Sequence, residues 1–264
     1  MEDEPLDEYR HGYEKAARFY NLFAQNNDIP FYIDYAQKMG SPILDLAAGT
    51  GRVSIALAIA GFEVTALESS KHMVNEFKVQ VASNPPEVAE RITIIEGNMT
   101  DFEISQRFPL IIVPTSFGHA LTTDEQLSLL SCVREHLTED GLFIVDLFPG
   151  GVQPRNASFE ENPVDIEDGL TVTRSGVIST DPLRQIMSLD LTFTVRNKKS
   201  GDIVEQIYQK SGVALVYTRE AELLVRASGM RIISEYGDFT KKPYSKHSGR
   251  RILILSKNEA EDVQ

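Results

Sequence analysis

The sequence holds one cysteine, no tryptophan and five histidines, and each shortage removes a class of protein. A single thiol, Cys132, rules out an intrachain disulfide framework and a cysteine-based metal cluster. It lies in the apolar helical pattern Leu129–Leu130–Ser131–Cys132–Val133, where a buried structural thiol is expected rather than a nucleophile. His11, His72, His136 and His247 have no metal-ligand spacing with one another or with a carboxylate pair, so no metal is expected. Long hydrophobic runs are missing too, and Met1–Glu8 is acidic where a signal peptide would be basic and then apolar, so a cytoplasmic location is expected. Positive charge is scarce: 26 Lys plus Arg face 39 Asp plus Glu, for a net charge of −13. A nucleic-acid partner needs a basic footprint to displace counterions, so RNA and DNA are disfavoured.

What is present is an ordinary globular composition, 42% hydrophobic and 25% charged over 264 residues. That supports one large domain, or one with an elaboration, and no linker-like run or internal repeat divides it. Ala16, Ala17, Phe19, Tyr20 and Phe23, then Phe31, Tyr32 and Tyr35, recur at helical spacing. Strand patterns near 43–47, 63–67, 92–96, 109–114 and 141–147 then alternate with helices near 51–60, 71–82 and 123–137. This is the βαβα signature of a parallel sheet covered on both faces. After residue 150 the pattern changes. Leu170–Thr180, Arg184–Arg196 and Ile203–Leu215 alternate as an antiparallel meander, with turns at Asp181–Pro182 and Lys198–Asp202. A helix capped by Thr218 and stopped at Gly229 follows, then two antiparallel strands near 231–236 and 251–256.

The most informative stretch is Ile43–Leu44–Asp45–Leu46–Ala47–Ala48–Gly49–Thr50–Gly51–Arg52, a buried strand that turns through glycines into a helix. Such a turn lets backbone approach a ligand at the carboxyl end of a strand, where open α/β sheets bind nucleotides, although a plain strand-to-helix turn reads the same way alone. Glu68 ends the next strand, seventeen positions beyond Gly51, and its two oxygens suit a ribose diol. A dinucleotide fingerprint would continue with glycine where Ser54 stands. The final antiparallel hairpin also argues against a nicotinamide enzyme.

With these residues in place, the chain resembles the class I S-adenosylmethionine-dependent methyltransferases. The loop Asp45–Gly51 looks like the first motif, Glu68 the ribose-binding acid, and Glu96–Gly97–Asn98–Met99 the segment that brackets adenine. Phe108–His119 looks like the fourth motif, and Leu137–Val145 the strand after it. Three departures stand out. Ala47 replaces the usual first glycine, acceptable if its backbone stays extended; Asn98 stands for a common aspartate; Pro109 replaces an acidic residue. The resemblance implies an α/β, Rossmann-like seven-stranded sheet, mostly parallel with an antiparallel last strand, and an inserted antiparallel meander. It divides the chain into a helical cap (1–40), a cofactor core (41–150), an insertion that covers substrate or pairs subunits (151–216), and a closing helix and strands (217–264). The meander is similar to that of sugar-amine and glycine N-methylating enzymes.

The resemblance also implies site residues. For S-adenosylmethionine these are Tyr13, Tyr20, Asp45, Ala47, Gly49, Gly51, Glu68 and Ser69, with Met73, Asn98, Met99, Thr100, Pro114 and Thr115. Asp45 and Glu68 would set two negative charges beside a cationic cofactor. For a small-molecule methyl acceptor they are Tyr32, Ser116, Phe117, His119 and Phe148. A sulfonium methyl is already activated, so the protein must align a nitrogen or oxygen lone pair behind it, sulfur being the third choice, and exclude water. His119 is the candidate base, because histidine titrates near neutrality and this one follows the fourth strand. Phe117 either packs on the acceptor or caps the core. The run Lys241, Lys242, Lys246, Arg250, Arg251 is expected to be a solvated hairpin edge, the alternative being an anion contact. Three further readings remain open: a nicotinamide oxidoreductase, a non-catalytic cofactor-binding protein, and a methyltransferase for RNA or protein. A homodimer is compatible with the insertion.

Overall fold

The computed structural model of the chain describes residues 6–10, 15–148 and 156–258. The short α1 (Ala17–Tyr20) and α2 (Ile29–Met39) precede the core. The core alternates β1 (Ile43–Leu46), α3 (Arg52–Ile59), β2 (Val64–Glu68), α4 (Lys71–Ala82), α5 (Pro86–Ala89), β3 (Ile92–Glu96), β4 (Phe108–Val113), α6 (Thr123–His136) and β5 (Leu137–Leu147). A second sheet follows, made of β6 (Asn156–Glu160), β7 (Val164–Ile166), β8 (Leu170–Asp181), β9 (Ile186–Asn197) and β10 (Ile203–Ala214). The chain then returns through α7 (Thr218–Ala227), β11 (Met230–Tyr236) and β12 (Arg251–Lys257) to the first sheet.

The first sheet has seven strands in the order β11-β12-β5-β4-β1-β2-β3, and β12 runs antiparallel to both of its neighbours. Its strands are near-continuous apolar runs because both faces are covered. Alternate residues feed two layers: Leu44, Leu46, Ile111, Val113 and Val145 meet α6 and α7, whereas Ile43, Leu110, Ile112 and Ile144 meet α2 and α3. β1 and β2 end at the middle of this sheet, beside the reversal of strand order, where such folds place their ligands. In the second sheet, ordered β10-β9-β8-β6, Leu191, Phe193 and Val195 pack on Ala16 and Phe19, tying the amino-terminal segment to the insertion.

The expected architecture holds, with differences of detail. β6 and β7 are additional strands, and β5 starts at Leu137 rather than near 141. The amino-terminal cap of α7 is Tyr217, one residue before the expected Thr218, because Glu220 reaches back to accept from the Tyr217 N–H at 3.1 Å. Gly229 follows the helix with φ 72°, as its place predicts. The basic run is a solvated edge only in part: Lys242 and Lys246 are exposed, whereas the other three are less exposed and paired. Arg251 is buried and bonded to Glu235 and the Thr218 carbonyl, Arg250 pairs with buried Asp146 at 2.5 Å, and Lys241 pairs with Asp34. These charges fasten the final hairpin to the body of the protein. Among the described residues no helix is long and apolar enough to cross a membrane, and no group of three or more His, Cys, Asp or Glu is arranged to hold a metal ion.

Candidate active site

The loop after β1 carries the local strain of the site. Ala47, Gly49 and Gly51 all take left-handed φ, at 52°, 60° and 83°. Ala47 therefore does not keep the extended backbone that its place of a usual glycine was expected to require. Its methyl is held in a region that costs an L-residue about 1–2 kcal/mol. Ala47→Gly is expected to raise the free energy of unfolding by up to about 1 kcal/mol, glycine's greater unfolded freedom offsetting part of the relief. Urea titration measures this, and a loss of stability would show that contacts of the methyl outweigh the strain.

Glu68 locks that loop to the next strand. Its Oε2 accepts from the Gly49 N–H and its Oε1 from the Ser70 N–H, each at 2.8 Å. Each carboxylate oxygen keeps a further lone pair for a ligand hydroxyl. The acid found by its spacing thus organises the backbone as well as facing the ligand space.

Above these groups lies a cavity of about 320 Å³. The β1, β2 and β3 ends supply Ala47, Gly49, Glu68, Ser69, Ser70, Gly97, Asn98, Met99 and Thr100, and Met73 enters from α4. The β4–α6 connection supplies Ser116 and His119, the first turn of α6 supplies Glu125, and Tyr9, Arg10 and Tyr20 border the cavity from the amino-terminal side. Burial raises the phenol pKa of Tyr20. A larger open hollow of about 830 Å³ lies on the β6–β10 sheet, bordered by Tyr208, Asp190 and Lys210. It lies on the face of an antiparallel sheet and has no glycine turn at a strand end, so the smaller cavity is the one that joins the glycine loop to Glu68.

His119 opens into the cavity and is exposed there. Desolvation by the protein around the ring lowers its pKa from the usual 6.5, against the opposing hydrogen bond to the Gly212 backbone. At neutral pH it is an uncharged imidazole, the form that takes a proton. The Gly212 contact also brings β10 to the site, and a Cβ on Gly118 would stand 2.9 Å from the Ala214 carbonyl, so strand and loop approach closely.

Helix α6 braces the wall. Its capping box pairs Thr122 with Glu125. Farther along, the Ser128 hydroxyl donates to the Thr100 carbonyl at 2.7 Å, and the Cys132 thiol donates to the same oxygen at 3.7 Å. His136 Nε2 accepts from the Ile104 N–H at 2.9 Å and its Nδ1 donates to the Cys132 carbonyl at 2.7 Å. Cys132 and His136 are thus structural, as their sequence settings imply.

Several expected site residues lie elsewhere. Asp45 is buried behind the loop, where Ser54 donates to its Oδ2 at 2.6 Å; burial pushes its pKa up to about 7, with the Ser54 bond opposing. It is therefore not a full negative charge beside the cavity. Gly51 forms the cap of α3 and faces Phe77. The Pro114 carbonyl accepts from the Ser116 hydroxyl, while Thr115, at φ 58°, donates to Asp146. Tyr32 is fully buried against Phe31 and Phe239 and does not line the cavity. Phe117 turns inward against Leu130, Val145 and Leu224, capping the core rather than facing an acceptor. The Phe148 ring lies under the Arg250 guanidinium, 4.9 Å away, outside the cavity lining. Tyr13 lies outside the described residues. Asn98 Oδ1, expected to face adenine, accepts from the Thr100 N–H at 3.0 Å.

Sequence reasoning missed Tyr9, Arg10, Ser70 and Glu125 on the wall. Thr122-x-x-Glu125 was a legible capping box, but it carried no sign of facing a cavity.

With the geometry established, comparison with known proteins gives a consistent result. The family model described as "Methyltransferase domain" matches residues 43–141. The cypemycin N-terminal methyltransferase of a Streptomyces species is 22% identical over 225 residues, covering 83% of this chain and 84% of its own. Among solved structures, the CcbJ methyltransferase from Streptomyces caelestis superposes with TM-score 0.77 at 21% identity, over 95% of this chain and 99% of its own. The sugar N-methyltransferase KedS8 from Streptoalloteichus sp. ATCC 53650 gives TM-score 0.69 at 16% identity, over 91% and 92% of the two chains.

Proposed function

We propose that this chain, a class I S-adenosylmethionine-dependent methyltransferase, transfers the methyl group to an amine nitrogen of a small molecule. The observation that carries the reading is the position of His119, open to the same cavity as Glu68 and the Gly49 backbone. The names of a peptide amino-terminal and a sugar N-methyltransferase among similar proteins agree with it.

The cavity fits the cofactor. Its volume of about 320 Å³ suits one folded nucleoside-sized ligand. The free lone pairs of Glu68 suit a ribose diol, and a Cβ on Gly49 would meet nothing within 4 Å, leaving room for close approach. Tyr20, Met73, Asn98 and Met99 complete that end. When bound, the cofactor supplies an electrophilic methyl group on a sulfonium.

The remaining work falls to the chain. An ammonium has no lone pair, so the acceptor must lose a proton before attack. His119 takes that proton on its ring nitrogen, and its hydrogen bond to the Gly212 backbone holds the ring in place. Ser116, beside it, orients the acceptor. The segment carrying Tyr9 and Arg10 closes the cavity to water, which leaves proximity and orientation as the main source of rate.

His119→Ala is expected to lower turnover by about 10²–10⁴-fold, the usual range for a positioned base, with the cofactor dissociation constant little changed. In the parent protein, turnover should stay flat through neutrality and fall as pH drops beneath 6.5, because the lowered pKa keeps the ring uncharged until then. Turnover in the alanine variant that matches the parent across pH would remove the base assignment. Production of S-adenosylhomocysteine with matched amines and alcohols, read by mass spectrometry, tests nitrogen against oxygen. We assign the second sheet the role of covering the acceptor and pairing two copies, in a cytoplasmic enzyme.

A further inference from the structure

We propose that Glu125 is the ammonium-binding residue of the acceptor subsite, and that Arg10 holds its place until the acceptor's cationic amine displaces it. This rests on the amine reading above.

Glu68 and Glu125 are the two carboxylates among the residues lining the cavity. Glu68 is committed, both its oxygens being bonded to backbone N–H groups of the cofactor loops. Glu125 divides its oxygens between two tasks. Its Oε2 accepts from the Thr122 N–H at 3.0 Å and the Thr122 hydroxyl at 3.2 Å, the capping bonds that fix the side chain at the start of α6. Its Oε1 is turned to Arg10 Nη1, 2.6 Å away. One oxygen is thus anchored by the helix and the other is presented to a cation.

Burial pushes the Glu125 carboxyl up, but its bonds to Arg10 and Thr122 more than offset this, so the group is charged near neutrality. The Arg10 partner is exchangeable. The two side chains are 39% and 25% exposed, and an ion pair reached by water is held weakly. A substrate ammonium arriving at Oε1 therefore has little to displace. It would be held at the first turn of α6, in the same cavity as His119, where its proton must be removed.

The test uses full-length protein loaded with S-adenosylhomocysteine and carrying ¹³C-labelled glutamate carboxyl groups, with the Glu125 signal assigned by its loss in Glu125→Gln. In Arg10→Gln, methylammonium chloride should shift that signal at concentrations at least tenfold lower than in the parent, and sodium chloride at equal ionic strength should not. Equal responses to the two salts, or no response in Arg10→Gln, overturn the assignment. In turnover of an amine acceptor, Glu125→Gln should raise KM at least tenfold with kcat nearly unchanged, whereas Arg10→Gln should lower KM. If both variants instead raise acceptor KM and weaken cofactor binding alike, the pair is a clamp and the proposal fails. If no amine is methylated, the amine reading falls, and the methylammonium titration still decides whether Glu125 binds an ammonium.

Discussion

Gly51→Ala is expected to lose about 2–5 kcal/mol of folding free energy, as the sum of a left-handed backbone penalty of about 1–2 and an overpacking cost of about 1–3. Gly51 has φ 83°, and a Cβ there would overlap the ring of Phe77, which is itself fully buried in α4. Neither side can yield cheaply, because the loop is tied to β2 through Glu68 and the ring is enclosed by the core. Gly49→Ala is the control: its φ of 60° imposes a similar backbone cost, but nothing lies within 4 Å of the added carbon. Chemical denaturation should therefore rank the variants parent, Gly49→Ala, Gly51→Ala. A Gly51→Ala midpoint equal to that of Gly49→Ala would mean that Phe77 moves aside without cost.

The second large effect concerns Glu68. Glu68→Ala should weaken S-adenosylmethionine binding by about 2–4 kcal/mol through loss of two charge-assisted hydrogen bonds to the ribose. The bonds to the Gly49 and Ser70 N–H groups add a separate cost, since their removal leaves both donors without this acceptor and loosens the turn beside the ligand. Glu68→Gln separates the contributions. Its amide oxygen can keep one of the two loop bonds, so stability should recover more than affinity does. Calorimetric titration of both variants reads the affinity, and an unchanged dissociation constant in Glu68→Ala would show that the ribose is held elsewhere.

The cofactor side of the site was legible in the sequence because it is made by backbone at fixed places. Strand ends, glycine turns and a strand-end acid sit at predictable spacings, and Gly49, Glu68 and Met99 all line the cavity. The helix and strand periods were equally readable, since the central strands of the first sheet, such as β1 and β2, are buried on both faces. The side to which we assign the acceptor was not, because distant segments meet there. Tyr9 and Arg10 come from the start of the chain, Gly212 from β10, and Glu125 from the first turn of α6. Phe117 and Tyr32 show the matching error: an aromatic near a motif does not reveal whether it faces the ligand or the core, and here both face the core. Ala47 erred for another reason, because a backbone twist at an L-residue leaves no composition signal.

Helix α6 has a consequence for how the two ligands sense each other. It carries Glu125 at its start, and through Ser128 and Cys132 it grips the carbonyl of Thr100, a cavity residue that follows β3. One rod thus touches the cavity wall at two places. A shift of the rod that improves the fit to one ligand changes the fit to the other, and reciprocity makes the two changes equal in free energy. The coupling is then a property of the scaffold that favours no order of arrival: whichever ligand seats α6 first sets the affinity that the second one meets.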